Sequence, residues 1–150
     1  MLIRSLKEAE LKTLPIIWQR LVSSAGTTCP RCNSTESEIR RAFERLEYAL
    51  EPLGMEPALE VRELDQATFE SNPTESNRIW IAGKPMEDWL EGRAGRSQCC
   101  NECGDNECRT VEVGGETYAV IPEQLLVRAG LIAATSMLDP TNPDKSHENQ

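Results

Sequence analysis

Apolar residues gather in a few short stretches, and the spacing inside each stretch predicts its form. Residues 14–22, L-P-I-I-W-Q-R-L-V, are apolar and β-branched enough for a buried strand, with Pro15 near the start where a missing donor is tolerated. A turn-rich S-S-A-G-T-T ends it. Beyond Cys29-Pro30-Arg31-Cys32, the residues Ile39, Ala42, Phe43, Leu46, Ala49, Leu50 and Leu53 recur at helical spacing until Gly54, which makes this the strongest helix of the chain. Leu59 and Val61 alternate with polar neighbours and predict a second strand once past Pro57. Strand, helix and strand then form a βαβ unit, which sets the two strands parallel with a right-handed crossover.

Farther on, residues 65–77 hold at most a short helix, R-I-W-I-A at 78–82 reads as a third strand, and 85–90 suits a helical turn. Gly114-Gly115 between 110–113 and 117–121 is a hairpin signal. Pro122 opens a last helix whose stripe is Leu125, Leu126, Ala129, Ile132, Ala133 and Met137. At the start, Ser5 and Glu8 have the S-x-x-E form of a capping box and suggest a helical turn. The stretch from Asp139, with two prolines and no apolar anchor, is expected to be a disordered tail over 139–150.

Composition narrows the partners. The chain has 150 residues, 39% hydrophobic and 27% charged, which suits one globular domain with its own core. A net charge of −9 repels phosphate backbones and anionic lipid, so neither nucleic acid nor membrane is expected as a partner. Residues 1–13 are charged and contain no signal-peptide-like run, which places the chain in the cytoplasm.

A cytoplasmic setting changes the meaning of six cysteines, because thiols there stay reduced and structural disulfides are rare. Export by another route would instead allow three disulfides, although a chain of this size does not need them. Cys29 and Cys32 stand between a strand and a long helix, whose N-terminus offers free N–H groups and a partial positive charge to a thiolate. Cys29 then serves as nucleophile and Cys32 as resolving thiol, with Arg31 adding a cation. Thr35 and Glu38 complicate this picture: they form a T-x-x-E capping box, which would start the helix after Cys32 and weaken the dipole argument. The pair also reads as half of a metal site.

Cys99, Cys100, Cys103 and Cys108 form the second group, C-C-x-x-C-x-x-x-x-C, with Gly104 and Asp105 supplying a turn. Four thiolates suit a tetrahedral soft-metal site such as zinc, although adjacent Cys99 and Cys100 point apart, so three ligands are also conceivable. Iron–sulfur or copper(I) ligation, a disulfide relay and an inert reduced loop are the alternatives. Trp18, Trp80 and Trp89 suit core packing or a groove wall, and His147 lies in the expected tail.

The order strand, Cys29-Pro30-Arg31-Cys32, helix and then I-W-I-A-G-K at 79–84 resembles a thioredoxin or glutaredoxin fold. More closely, the phrases T-C-P-R-C, E-S-N-R-I-W-I-A-G-K-P-M-E-D-W-L, C-C-N-E-C-G-D-N-E-C-R-T-V-E-V and Y-A-V-I-P-E-Q-L resemble a thioredoxin-like family catalogued as domain of unknown function 2703. That resemblance covers most of 14–137. It implies an α/β thioredoxin-like fold over 1–138, with a mixed central sheet flanked by helices and a cysteine-rich loop inserted before the C-terminal hairpin and helix. It also implies a CxxC at the usual active position, carried by Cys29 and Cys32. One departure is that Asn77 stands where such enzymes usually hold a proline just before the R-I-W-I-A strand. This puts general disulfide reductase activity in doubt and leaves more room at the thiols for a metal or metalloid.

Two functions from different classes are therefore expected. One is a thiol–disulfide redox protein whose partner is a protein or small-molecule disulfide, with a relay to the second cluster as one form of it. The other is a non-enzymatic thiolate binder of a soft metal or metalloid.

Overall fold

In the computed structural model, residues 11–21, 30–98 and 107–139 are described. The capping box at 5–8, Cys29, Cys99, Cys100, Cys103 and the expected tail from 140 onward lie outside them. Strand β1 (Lys12–Leu21) is followed by helix α1 (Pro30–Leu50), a 3-10 turn (Glu51–Leu53) and strand β2 (Met55–Leu64). Gly54 closes the helical segment at φ 72°, a left-handed backbone in which glycine carries no Cβ penalty. The two strands pair in parallel from Lys12↔Met55 to Leu21↔Leu64, as expected of a βαβ unit.

Helix α2 (Gln66–Ser71) and a 3-10 turn (Pro73–Glu75) lead to β3 (Arg78–Ile81), which lies antiparallel to β1 on its other side. A short β4 (Lys84–Pro85) completes a four-stranded mixed sheet in the order β2-β1-β3-β4. The sheet is half-buried by alternation. Leu14, Ile16 and Trp18 of β1 and Ile79 and Ile81 of β3 are buried, whereas Pro15 is exposed and Ile17, Gln19, Arg78 and Trp80 are half-buried.

Past α3 (Met86–Trp89) the chain builds a second, separate sheet from β5 (Arg93–Gln98), β6 (Glu107–Val113) and β7 (Glu116–Tyr118), all antiparallel. The hairpin expected at Gly114-Gly115 is present, with both glycines at positive φ, 61° and 84°. Its second strand stops at Tyr118 instead of reaching 121, and the hairpin joins β5 through β6 instead of extending the first sheet. Helix α4 (Glu123–Leu138) closes the fold.

The core joins these elements. From α1 it takes Ile39, Ala42, Leu46 and Leu50, while Ala49 and Leu53 of the expected stripe are exposed and Phe43 is half-buried. From α4 it takes Leu125, Leu126, Ala129, Ala133 and Ala134, while Ile132 faces solvent. Gly130 brings the two helices together, since a Cβ placed there would lie 2.9 Å from both Leu46 methyls. Trp18 is wholly buried; Trp80 is half-buried between Arg78 and Arg62, whose guanidinium carbons lie 4.6 and 5.9 Å from its ring centre.

Candidate thiol site

Helix α1 begins at Pro30, five residues before Thr35, so the T-x-x-E pattern does not start it. Pro30 is suited to a first helical position, where its missing N–H costs nothing. Cys32 consequently lies in the first turn of a 21-residue helix that follows the central strand β1.

The T-x-x-E residues serve a different helix, Thr35 binding the segment that leads into it and Glu38 capping its first residue. The Thr35 hydroxyl accepts from the backbone N–H of Ile121 at 3.3 Å, and Glu38 Oε1 accepts from the backbone N–H of Glu123 at 2.7 Å. Glu123 is the first residue of α4, whose N-cap Pro122 provides no side-chain bond of its own. A carboxylate from α1 therefore meets the positive end of α4. Glu123 in turn pairs with Arg41 and Arg45 of α1.

Asn77 occupies the position before β3 with φ 59°, a left-handed backbone that Asn tolerates better than most residues. Its amide is fully engaged. Trp18 Nε1 donates to Asn77 Oδ1 at 2.9 Å, while Asn77 Nδ2 donates to Thr35 Oγ1 at 3.0 Å and to the Ala119 carbonyl at 3.4 Å. The amide fills its place with protein contacts, and the room expected at the thiols concerns side chains that lie outside the described ones. Close to this end of α1, Arg20 of β1 reaches Glu36 of α1 and Glu63 of β2, both at 3.5 Å.

The second cysteine group is divided by the fold. Cys108 belongs to β6, pairs in register with Ser97 of β5 and is 1% exposed within the core. The expectation of a loop from 99 to 108 is corrected at this end, because the alternation of β6 turns Cys108 inward. Cys99, Cys100 and Cys103 fall in the 99–106 connection of the β5–β6 hairpin, which is closed by the pair Gln98↔Glu107. Among the described residues, no three His, Cys, Asp or Glu side chains converge to hold a metal ion.

Sequence reasoning did not anticipate the pair beside Cys108. Arg109 and Glu87, 7% and 4% exposed, form an ion pair between β6 and α3, and Arg109 Nη1 also donates to the Thr74 carbonyl at 3.2 Å. Nothing in the local pattern distinguishes these two residues from solvated charges. A hollow of about 580 Å³, lined in part by Asn72, Thr74, Arg96, Glu107 and Arg109, opens next to the same strands.

A family model described as Domain of unknown function (DUF2703) matches residues 14–130. An uncharacterized protein of Archaeoglobus fulgidus is 40% identical over 113 residues, covering 75% of this chain and 82% of that protein. No solved structure matches. No helix among the described residues is long and apolar enough to cross a membrane.

Proposed function

The chain belongs to the DUF2703 family, and we propose that it acts there as a thioredoxin-like thiol–disulfide redox protein through Cys29 and Cys32. The observation that carries this reading is the place of Cys32 in the first turn of a long helix after the central strand, inside a parallel βαβ unit. Free N–H groups and the helix dipole concentrate at that end and lower the pKa of a thiol near it.

In this reading the Cys29 thiolate attacks one sulfur of a substrate disulfide, forming a mixed disulfide and expelling the other sulfur as a thiolate. Cys32 then attacks the Cys29 sulfur and expels the second thiolate. The dithiol is oxidised to a disulfide, and the substrate leaves as two thiols after taking up the two cysteine protons. Protein or small-molecule disulfides are the proposed partners and the cytoplasm the proposed setting. The net charge of −9 argues against nucleic acid.

The test uses the full chain with Cys99, Cys100 and Cys103 replaced by Ser, because those thiols would also react with an aromatic disulfide probe. Cys29→Ser should abolish the fast reaction near neutral pH, and Cys32→Ser should keep the first attack and trap the mixed disulfide. Equal loss from both substitutions would point to joint metal ligation and end the redox reading.

A second reading is favoured by the hairpin register, which gathers Cys99, Cys100 and Cys103 into one closed connection. There they bind a soft metal or metalloid such as zinc through two or three thiolates, with Cys108 buried on the adjoining strand. Elemental analysis of anaerobically purified protein, combined with thiol counting, tests it. About one metal equivalent that is lost when the three residues become Ser supports the site, and its absence rules it out.

A further inference from the structure

Trp18, Thr35 and Asn77 form a polar chain that solvent does not reach. Their exposures are 0%, 0% and 2%, and they come from β1, α1 and the residue before β3. Donor and acceptor chemistry fixes the direction of every bond in it. An indole N–H can only donate, so the Asn77 oxygen faces Trp18 and the Asn77 nitrogen faces Thr35. Thr35 Oγ1 accepts this bond and a second one from the Ile121 N–H. A hydroxyl has two lone pairs and one proton. With both lone pairs engaged, the Thr35 proton points elsewhere, and on a helix the acceptors within its reach are the carbonyls three and four residues earlier. Those belong to Cys32 and Arg31.

We infer that Asn77 and Thr35 are positioning residues that hold the first turn of α1, and Cys32 with it, in one orientation on the central sheet. The chain runs from Trp18 through Asn77 and Thr35 toward the backbone of that turn. It is buried, and loss of any member leaves a donor or acceptor without a partner. The inference rests on the redox reading for its main readout.

The test again uses the full chain with Cys99, Cys100 and Cys103 replaced by Ser. Thr35→Val keeps the shape of residue 35 and removes its oxygen, Thr35→Ser keeps the oxygen, and Asn77→Ala removes the amide. Each variant is equilibrated with glutathione, in which the Cys29–Cys32 disulfide plus two glutathione thiols becomes the dithiol plus glutathione disulfide. A released turn no longer keeps the helix N-terminus in one place, so a thiolate that depends on that end loses stabilisation. Thr35→Val and Asn77→Ala should move the equilibrium toward the cysteine disulfide by about threefold or more, while Thr35→Ser stays at the wild-type value. If Asn77→Ala does not fold, the near-isosteric Thr35→Val decides. A folded Thr35→Val with an unchanged constant, or one shifted toward the dithiol, overturns the inference. A wild-type pair that forms no disulfide overturns the redox reading alone. Alkylation by iodoacetamide then reads positioning directly: about threefold slower reaction in Thr35→Val supports it, and an unchanged rate overturns it.

Discussion

The two cysteine groups stand on scaffolds of opposite construction. Cys32 lies in the first turn of a helix that packs along one face into the main core and is tied to the first sheet by a buried chain of neutral hydrogen bonds. The 99–106 connection instead rises from a ribbon whose β5 strand, R-A-G-R-S-Q, exposes Arg93, Ala94, Gly95 and Arg96. That ribbon meets the body of the protein through Cys108, Val111 and Val113 of β6 and through the buried Arg109–Glu87 pair. A redox pair needs a fixed frame so that each turnover meets the same geometry. A thiolate ligand group depends instead on sulfurs that lie close together along the chain, as they do from Cys99 to Cys108. The difference in construction thus matches the difference in proposed chemistry.

Removing the charge on which the ribbon rests would break this comparison most severely. Taking one partner out of a buried ion pair leaves the other charged and unmatched, so Glu87→Ala should cost about 3–5 kcal/mol in urea unfolding. Replacing Glu87 and Arg109 together by Leu should recover most of that loss. A single substitution costing less than about 1 kcal/mol would mean that the ribbon is anchored by its apolar residues instead.

Two glycines sharpen the contrast at a smaller scale. A Cβ on Gly92, just before β5, would collide with the Glu112 carbonyl oxygen and lie 2.8 Å from Val113 Cγ2, and a backbone carbonyl cannot move without opening the ribbon. On Gly130 it would meet only the flexible end of Leu46 at 2.9 Å. Gly92→Ala should therefore cost about 2–3 kcal/mol. Gly130→Ala should lose less than about 1 kcal/mol, because the gain in helix propensity offsets the overpacking. The two thermal unfolding curves check this order, and equal losses would remove the distinction between ribbon and helix pair.

Metal removal probes the ribbon without any substitution. If the second cluster holds a soft metal, chelation should raise amide exchange between residues 95 and 109 and leave protection near Leu46 and Ile81 almost unchanged. Global unfolding would show that the metal carries the fold, and no change at all would favour a metal-free relay.

How much of this was legible depended on whether burial was periodic. Leu14, Ile16 and Trp18, the α1 residues Ile39, Ala42, Leu46 and Leu50, and the α4 residues Leu125, Leu126, Ala129 and Ala133 carry their burial as a pattern, so strand and helices could be read. β5 has no such pattern, because it is a mostly exposed strand held by pairing with β6. Cys108 was read with the loop cysteines since sulfur spacing is visible in a sequence and strand register is not. The T-x-x-E pattern was real chemistry with the wrong recipient, since Thr35 and Glu38 serve the start of α4 instead of their own helix. Asn77 was visible as a departure from the expected proline. Its buried bonding to Trp18 and Thr35 depends on residues 59 and 42 positions away, which no local pattern reports.

The smallest expected effect concerns the link between β2 and β3, where the first region relies on a local polar cap. Asp65 is the N-cap of α2, and the Thr68 backbone N–H donates to Asp65 Oδ1 at 2.7 Å. That bond, with a further contribution from the Thr68 side chain, holds the carboxyl below its ordinary value of 3.8. A carboxyl with a depressed folded pKa adds stability that is fully present above the unfolded value and is lost as pH falls through the folded one. Asp65→Asn keeps a capping oxygen and removes the titration. The stability difference between wild type and Asp65→Asn should therefore be constant above about pH 5 and shrink steadily as the pH drops through 3.8 and below. Because Asp65 is exposed, added salt should reduce the difference further. A difference that grows toward acid would mean that the cap is made by the neutral carboxyl, and the link would then depend on buried Phe69 instead of the charge.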